Sequence, residues 1–262
     1  MRASILRGCA AAGLALASAA CIIVMDDPLG GESGVIREYH KIVPFDPNGE
    51  LAVLHLDGDI EISGWERNEI EITAESESGG RRSGIFVRAE GRPEFEIEGK
   101  AKELRIRTRW DGDERRVYPV RLFLNVPRAI ALRAVRTGRG GVRIADLFGP
   151  ARIQIQTGDL KVENYSGALQ ATLDRGSVQA EILDIRKDDA ISILTRTGDI
   201  ALFLEPAAAV KLEARAGVDI ASEFDLKTPA GAKSAAASLG PEPRASLSLQ
   251  APAGRIQIKK TR

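Results

Sequence analysis

The chain has 262 residues and balances 37 Lys and Arg against 37 Asp and Glu, a formal net charge of zero. That balance excludes a generic polyanion binder, nucleic acid above all, because neutralised phosphates supply most of such affinity and need a basic excess. A composition that is 44% hydrophobic and 28% charged excludes disorder throughout, and 26 Gly with only 5% aromatic residues point to branched aliphatics interrupted by tight turns.

Residues 1–20 read as a secretion signal: Arg2 and Arg7 precede the uncharged run Gly8 to Met25, which Asp26 and Asp27 end. Ser18, Ala19 and Ala20 before Cys21 resemble a bacterial lipobox, with Ser where Leu is usual. Three outcomes stay open: lipidation at Cys21, cleavage after Ala19 or Ala20, or an uncleaved anchor, since the run just reaches the length that spans a bilayer. In each the body is exported to the periplasm, outer membrane or cell surface, and touches membrane only through this N-terminal lipid or anchor. Cys9 and Cys21 are the two cysteines, so no disulfide or Cys-based metal site is expected beyond Asp26. Residues 21–44 read as a flexible tether and 45–262 as a single domain.

The domain begins with alternating apolar and polar runs, each predicting a strand. They start at Glu50 (ELAVLHL), Glu69 (EIEIT), Ile85 (IFVRA), Phe95 (FEIE), Glu103 (ELRIRTR) and Val120 (VRLFLNV). Trp110 to Asp113 carries an Asp-Gly pair and predicts a hairpin between the last two. From Asp46 to Lys100 there are 14 acidic and 6 basic residues, net −8; from Ala101 to Arg152 there are 13 basic and 5 acidic, net +8. The simplest account pairs acidic strands such as EIEIT and FEIE with basic strands such as LRIRTR. The alternative is a basic face, with Arg105, Arg107 and Arg109 (and Arg133 and Arg143) offered to anionic glycans or lipid head groups.

The second half repeats. Gly140, Gly158, Gly176 and Gly198 each open a short strand with aliphatics two and four residues on, branched in all but Ala180, at steps of 18, 18 and 22. AGVDI from Ala216 extends the series, and Gly58 and Gly254 open and close it. Between the Gly-led strands run ARIQIQT, ALQATLD, AISILTRT and AVKLEARA; the longer step accommodates the charged insertion Arg186 to Asp189. A unit this short cannot bury its inward face alone, but stacked copies can. The expected fold is therefore all-β, a right-handed β-solenoid of 18- to 22-residue rungs behind a β-rich N-terminal half. Its corners are the named glycines, where backbone takes positive φ or approaches its neighbour closely. Residues 227–246, broken by Pro229, Pro241 and Pro243, read as an irregular loop.

The order of these pieces resembles the adhesin-like family of bacterial envelope proteins, a domain family of unknown function with a β-helix-like fold. The residues that carry the likeness are F-x-P-x-G from Phe45, GDIEISGW from Gly58, VRLFLNVP ending at Pro127, LRAVRTGRGGVRI from Leu132 and GRIQIKK from Gly254. The resemblance implies a surface or periplasmic domain, often lipid-anchored, without demonstrated enzymatic chemistry and sometimes beside envelope-stress systems.

Candidate chemistry is sparse. His40 and His55 have no visible partner, and no nucleophile elbow, zinc helix or phosphate loop is present. No cofactor, metal or catalytic residue is expected, and Gly138 to Gly141 reads as a corner rather than an anion nest. Asp59, Asp159 and Asp199 follow their glycines and read as solvated turn residues, a calcium ladder being disfavoured because intervening rungs lack carboxylates. The expected role is a non-enzymatic interaction scaffold for an envelope or extracellular protein or polysaccharide. The alternatives are a β-helix enzyme acting on acidic polysaccharide, or an accessory domain of an envelope-stress system.

Overall fold

The computed structural model describes residues 35–77, 92–111, 119–227, 229 and 231–261. The signal segment, Cys21 and the strand expected from Ile85 lie outside them. Among the described residues twenty strands are formed. The first seven are β1 (Val35–Pro44), β2 (Glu50–Asp57), β3 (Ile60–Trp65), β4 (Glu69–Glu77), β5 (Arg92–Lys100), β6 (Glu103–Asp111) and β7 (Val120–Pro127). A middle group follows: β8 (Ala131–Arg139), β9 (Val142–Ala145), β10 (Ala151–Thr157), β11 (Leu160–Ser166), β12 (Leu169–Arg175), β13 (Val178–Asp184), β14 (Ala190–Thr197) and β15 (Ile200–Leu204). The last are β16 (Val210–Ala216), β17 (Ile220–Ser222), β18 (Ser234–Leu239), β19 (Ala245–Ala251) and β20 (Ile256–Lys260).

The protein is all-β among the described residues, with two ten-stranded sheets ordered β1-β4-β7-β3-β9-β11-β13-β15-β20-β17 and β18-β16-β19-β14-β12-β10-β8-β2-β6-β5. Alternation decides which face is buried: in β10 Ile153 and Ile155 turn inward while Arg152, Gln154 and Gln156 face solvent. Branched aliphatics at the inward positions suit the pleat and meet in one apolar core that both sheets share. Successive middle strands alternate between the sheets and pair in parallel, Leu160 with Val142 and Val178, and Leu169 with Ala151 and Ile191. The steps of 18, 18 and 22 are thus the register of the ladder.

Stacked corners explain the glycines. Gly158 has φ +147°, and a Cβ there would stand 2.0 Å from the carbonyl oxygen of Gly140. Gly254 lacks a positive φ but a Cβ would lie 1.9 Å from the Gly198 oxygen, so close approach alone demands glycine there.

The ends depart from the expectation. β1 occupies Val35–Pro44, within the segment read as tether, and pairs antiparallel with β4, which pairs antiparallel with β7. β6 and β7 lie in different sheets, so no hairpin joins them; residues 112–118 lie outside the described ones. Within the segment read as an irregular loop, β18 pairs antiparallel with β16. The closing strands do not close the stack either: β19 pairs with both β14 and β16, and β20 with both β15 and β17. Because Ile220 and Ile200 both pair with Ile256, Asp219 takes the place of Asp199, and AGVDI is phased differently from the reading that starts it at Ala216. At that corner Gly217 makes the close approach, its Cβ position lying 2.1 Å from the Pro252 oxygen.

Candidate functional site

Register and alternation together set out the solvent face of the second sheet. Arg107, Leu54, Arg136, Gln154 and Thr172 are paired neighbours across β6, β2, β8, β10 and β12. Two residues further along lies a second row, Arg109, Leu56, Gly138, Gln156 and Asp174. These rows line a trough of about 1120 Å³. Gly138 contributes to its depth: it has no side chain, and a Cβ would stand 2.7 Å from the Leu56 oxygen. Leu56 is 48% exposed and gives the floor an apolar patch.

Charge in the trough is unevenly compensated. Glu98, Glu96 and Glu94 of β5 stand opposite Arg105, Arg107 and Arg109 of β6, so the FEIE run does pair with LRIRTR. Glu96 alone takes both Arg109, at 3.0 Å, and Arg107, at 3.7 Å. Arg139 pairs with Asp57, and Asp174 with Arg196 at 3.2 Å. Arg136 is exposed, and its guanidinium makes no hydrogen bond or ion pair among the described residues. Arg133 and Arg143 are engaged, with Glu50 and Glu163.

Beneath the trough sits His55. Its Nε2 lies 2.9 Å from the Val120 carbonyl, which only accepts, so Nε2 carries the proton; Nδ1 accepts from the Thr108 hydroxyl at 2.8 Å. Burial holds its pKa below the ordinary histidine value, partly offset by the Val120 bond and the charge of Asp57. His40 bonds Glu71 at 3.0 Å, and with Asn125 it holds the Glu71 carboxyl below its usual range. Both histidines are thus engaged in bonds that tie strands together.

The corner aspartates are also engaged. Asp59, Asp159 and Asp199 each accept, at 2.7 Å, the backbone N–H of the residue in the same place on the next rung: Gly141, Ser177 and Arg255. A carboxylate on every second rung suffices for this, which accounts for their spacing. Asp219 accepts from Arg255 Nε at 2.6 Å. Among the described residues no group of three or more His, Cys, Asp or Glu could hold a metal ion. Gly140 and Gly141 donate to Thr157 and Asp59, so these two N–H groups of the glycine run are not free to bind an anion.

No protein-family model and no curated protein matches the chain. Among solved structures, one described as a "putative cell adhesion protein" from Clostridium sporogenes is 16% identical with a TM-score of 0.49, covering 85% of this chain and 99% of that one. A "putative adhesin" from Bacteroides fragilis is 10% identical with a TM-score of 0.31, covering 88% and 98%. Neither likeness is strong enough to carry a conclusion about this chain, and the family resemblance rests on the quoted residues alone.

Sequence reasoning named Arg107 and Arg109, and read Gly138 as part of a corner where it lies within β8, but missed Arg136 and the glutamines. The 18-residue period was signal enough for part of it, since Arg136, Gln154 and Thr172 are spaced 18 apart and so share one column. That β2 and β6 adjoin this column has no periodic signature.

Proposed function

We propose that the protein is an exported, non-enzymatic interaction scaffold, a right-handed β-solenoid whose stacked strands hold a rigid outer face against an envelope or extracellular partner. One observation carries the reading: side-chain and backbone polar groups at corners and strand ends are largely bonded to neighbouring strands, while the wide trough on the second sheet is left open. Both histidines and the corner aspartates hold rungs together, which suits a scaffold better than a site of proton transfer. The signal-like N-terminus supports export, and the lipobox-like Cys21 supports an anchor.

The test is retention of the purified protein on isolated envelope and extracellular polysaccharide fractions, titrated to saturation, with polymer size measured before and after. Saturable retention with unchanged size supports the scaffold. Shortened polymer makes the protein a carbohydrate-active enzyme, and absence of retention on every fraction overturns the scaffold reading.

A further inference from the structure

We propose that the trough binds a linear acidic polysaccharide, with Arg136 as its main carboxylate contact; the inference rests on the scaffold reading and names the partner. Three observations converge. The trough crosses β6, β2, β8, β10 and β12, a span of roughly 19 Å at the strand spacing of parallel sheets. That is long for a single head group and suits an extended polymer.

The chemistry along this span is mixed in the way such a polymer is. Arg136 is a guanidinium with no competing partner among the described residues, in a site where one carboxylate, Glu96, serves both Arg107 and Arg109. An uncompensated planar fork of donors fits a carboxylate. Gln154, Gln156 and Thr172 offer neutral donors and acceptors for hydroxyls, and Leu54 and Leu56 offer apolar surface to sugar ring faces. Concavity argues against a bilayer surface, because Arg136 lies within the rows rather than on a projecting rim.

The trough is also rigid. Its floor strands are bonded on both edges, and the Leu56 carbonyl lies so close to Gly138 that a Cβ there would stand 2.7 Å from its oxygen. A preformed groove spares the ordering cost that a flexible site would meet on binding.

The experiment titrates the full-length protein with polygalacturonate, with dextran as the neutral polymer and with phosphatidylglycerol vesicles, at low and moderate salt. Saturable, salt-weakened binding of polygalacturonate in preference to dextran is expected, about tenfold weaker in Arg136→Ala and weaker still in Arg136→Glu. Lys211→Ala, exposed on β16 away from the trough, leaves binding unchanged, and an unaltered urea midpoint shows that both Arg136 variants fold. Equal binding by wild type and Arg136→Glu overturns the inference, as does dextran bound as tightly as polygalacturonate. Vesicle binding that Arg136→Glu abolishes assigns the contact to lipid phosphate and also overturns it. If polygalacturonate is not bound while envelope fractions retain the protein, this inference fails and the scaffold reading stands; loss of both removes both.

Discussion

The middle of the molecule and its two ends are built on different rules. From β8 to β15 each strand lies beside the one that follows it two places later, at steps of 18 or 22 residues interrupted by register shifts between β8 and β10 and between β11 and β13, and with glycine at the stacked corner. At the first end β6 and β7 lie outside β2 and β3, which precede them in the chain; at the second, β19 and β20 lie inside β16 and β17. Antiparallel strands then cover the outer rungs: β5 on β6, β4 and β1 beyond β7, and β18 on β16. A stack of parallel rungs ends in unpaired N–H and C=O groups that invite further strands. The difference teaches that the repeat propagates a stack, while stopping it takes chain from elsewhere in the sequence.

The sharpest way to break this comparison is to delete Ala245–Arg262. Leu247, Leu249, Ile256 and Ile258 are at most 1% exposed, and each contributes about 1.5–3 kcal/mol by burial. Loss of amide protection across β16, β17 and β18 is expected in hydrogen-exchange mass spectrometry, with β8 to β13 protected. If β16 and β17 stay protected, they have docked directly on β14 and β15, and the ends obey the same rule as the middle.

Next in size is Gly158→Ala, which puts a methyl 2.0 Å from the Gly140 oxygen at φ +147°. A loss of more than about 4 kcal/mol is expected from urea unfolding, because backbone must move on both rungs. Gly231→Ala near the second end, at φ +76° with no atom within 4 Å of the added methyl among the described residues, should cost only about 1–2 kcal/mol. Similar costs for the two would erase the contrast between a stacked corner and a free turn.

His55 ties β2 to β6 and β7 at the first end, and its effect follows pH. Its folded pKa is depressed below 6.5, so the unfolded chain takes up the proton first and stability falls as pH drops below about 6.5. His55→Gln should flatten the pH dependence of the thermal midpoint between neutral pH and about 5. An unchanged slope would show that other groups set it.

The smallest effect is expected for Glu96→Gln. Its ion pairs with Arg107 and Arg109 are a third to a half exposed, so stability should change by less than about 1 kcal/mol. By freeing both guanidiniums it should nevertheless strengthen retention of an acidic polymer, and a weaker retention would show that β5 shapes the trough rather than merely neutralising it.

Alternation and the 18-residue step were legible because each depends on a residue and its near neighbours. Inward Ile153 and Ile155, outward Gln154, and the corner glycines all follow from the pleat and from stacking one unit on the next. The pairing of FEIE with LRIRTR was legible from charge alone. Less was legible at the ends, since nothing in Ile256 or Leu247 announces that they sit between two earlier rungs, and the phase of Asp219 could be set only by that insertion.

The sequence by itself therefore determined the strands of the repeating middle, their buried faces and the glycine corner, because these are local consequences of period-2 polarity and of glycine, but not β1 or β18, whose pairing comes from the ends of the stack. Tertiary structure alone decided the order of the terminal rungs and the adjacency of Arg107, Leu54 and Arg136 that makes the trough. Every rung presents the same kind of apolar face and backbone edge, so many orders satisfy the local rules, and only long-range pairing chooses among them.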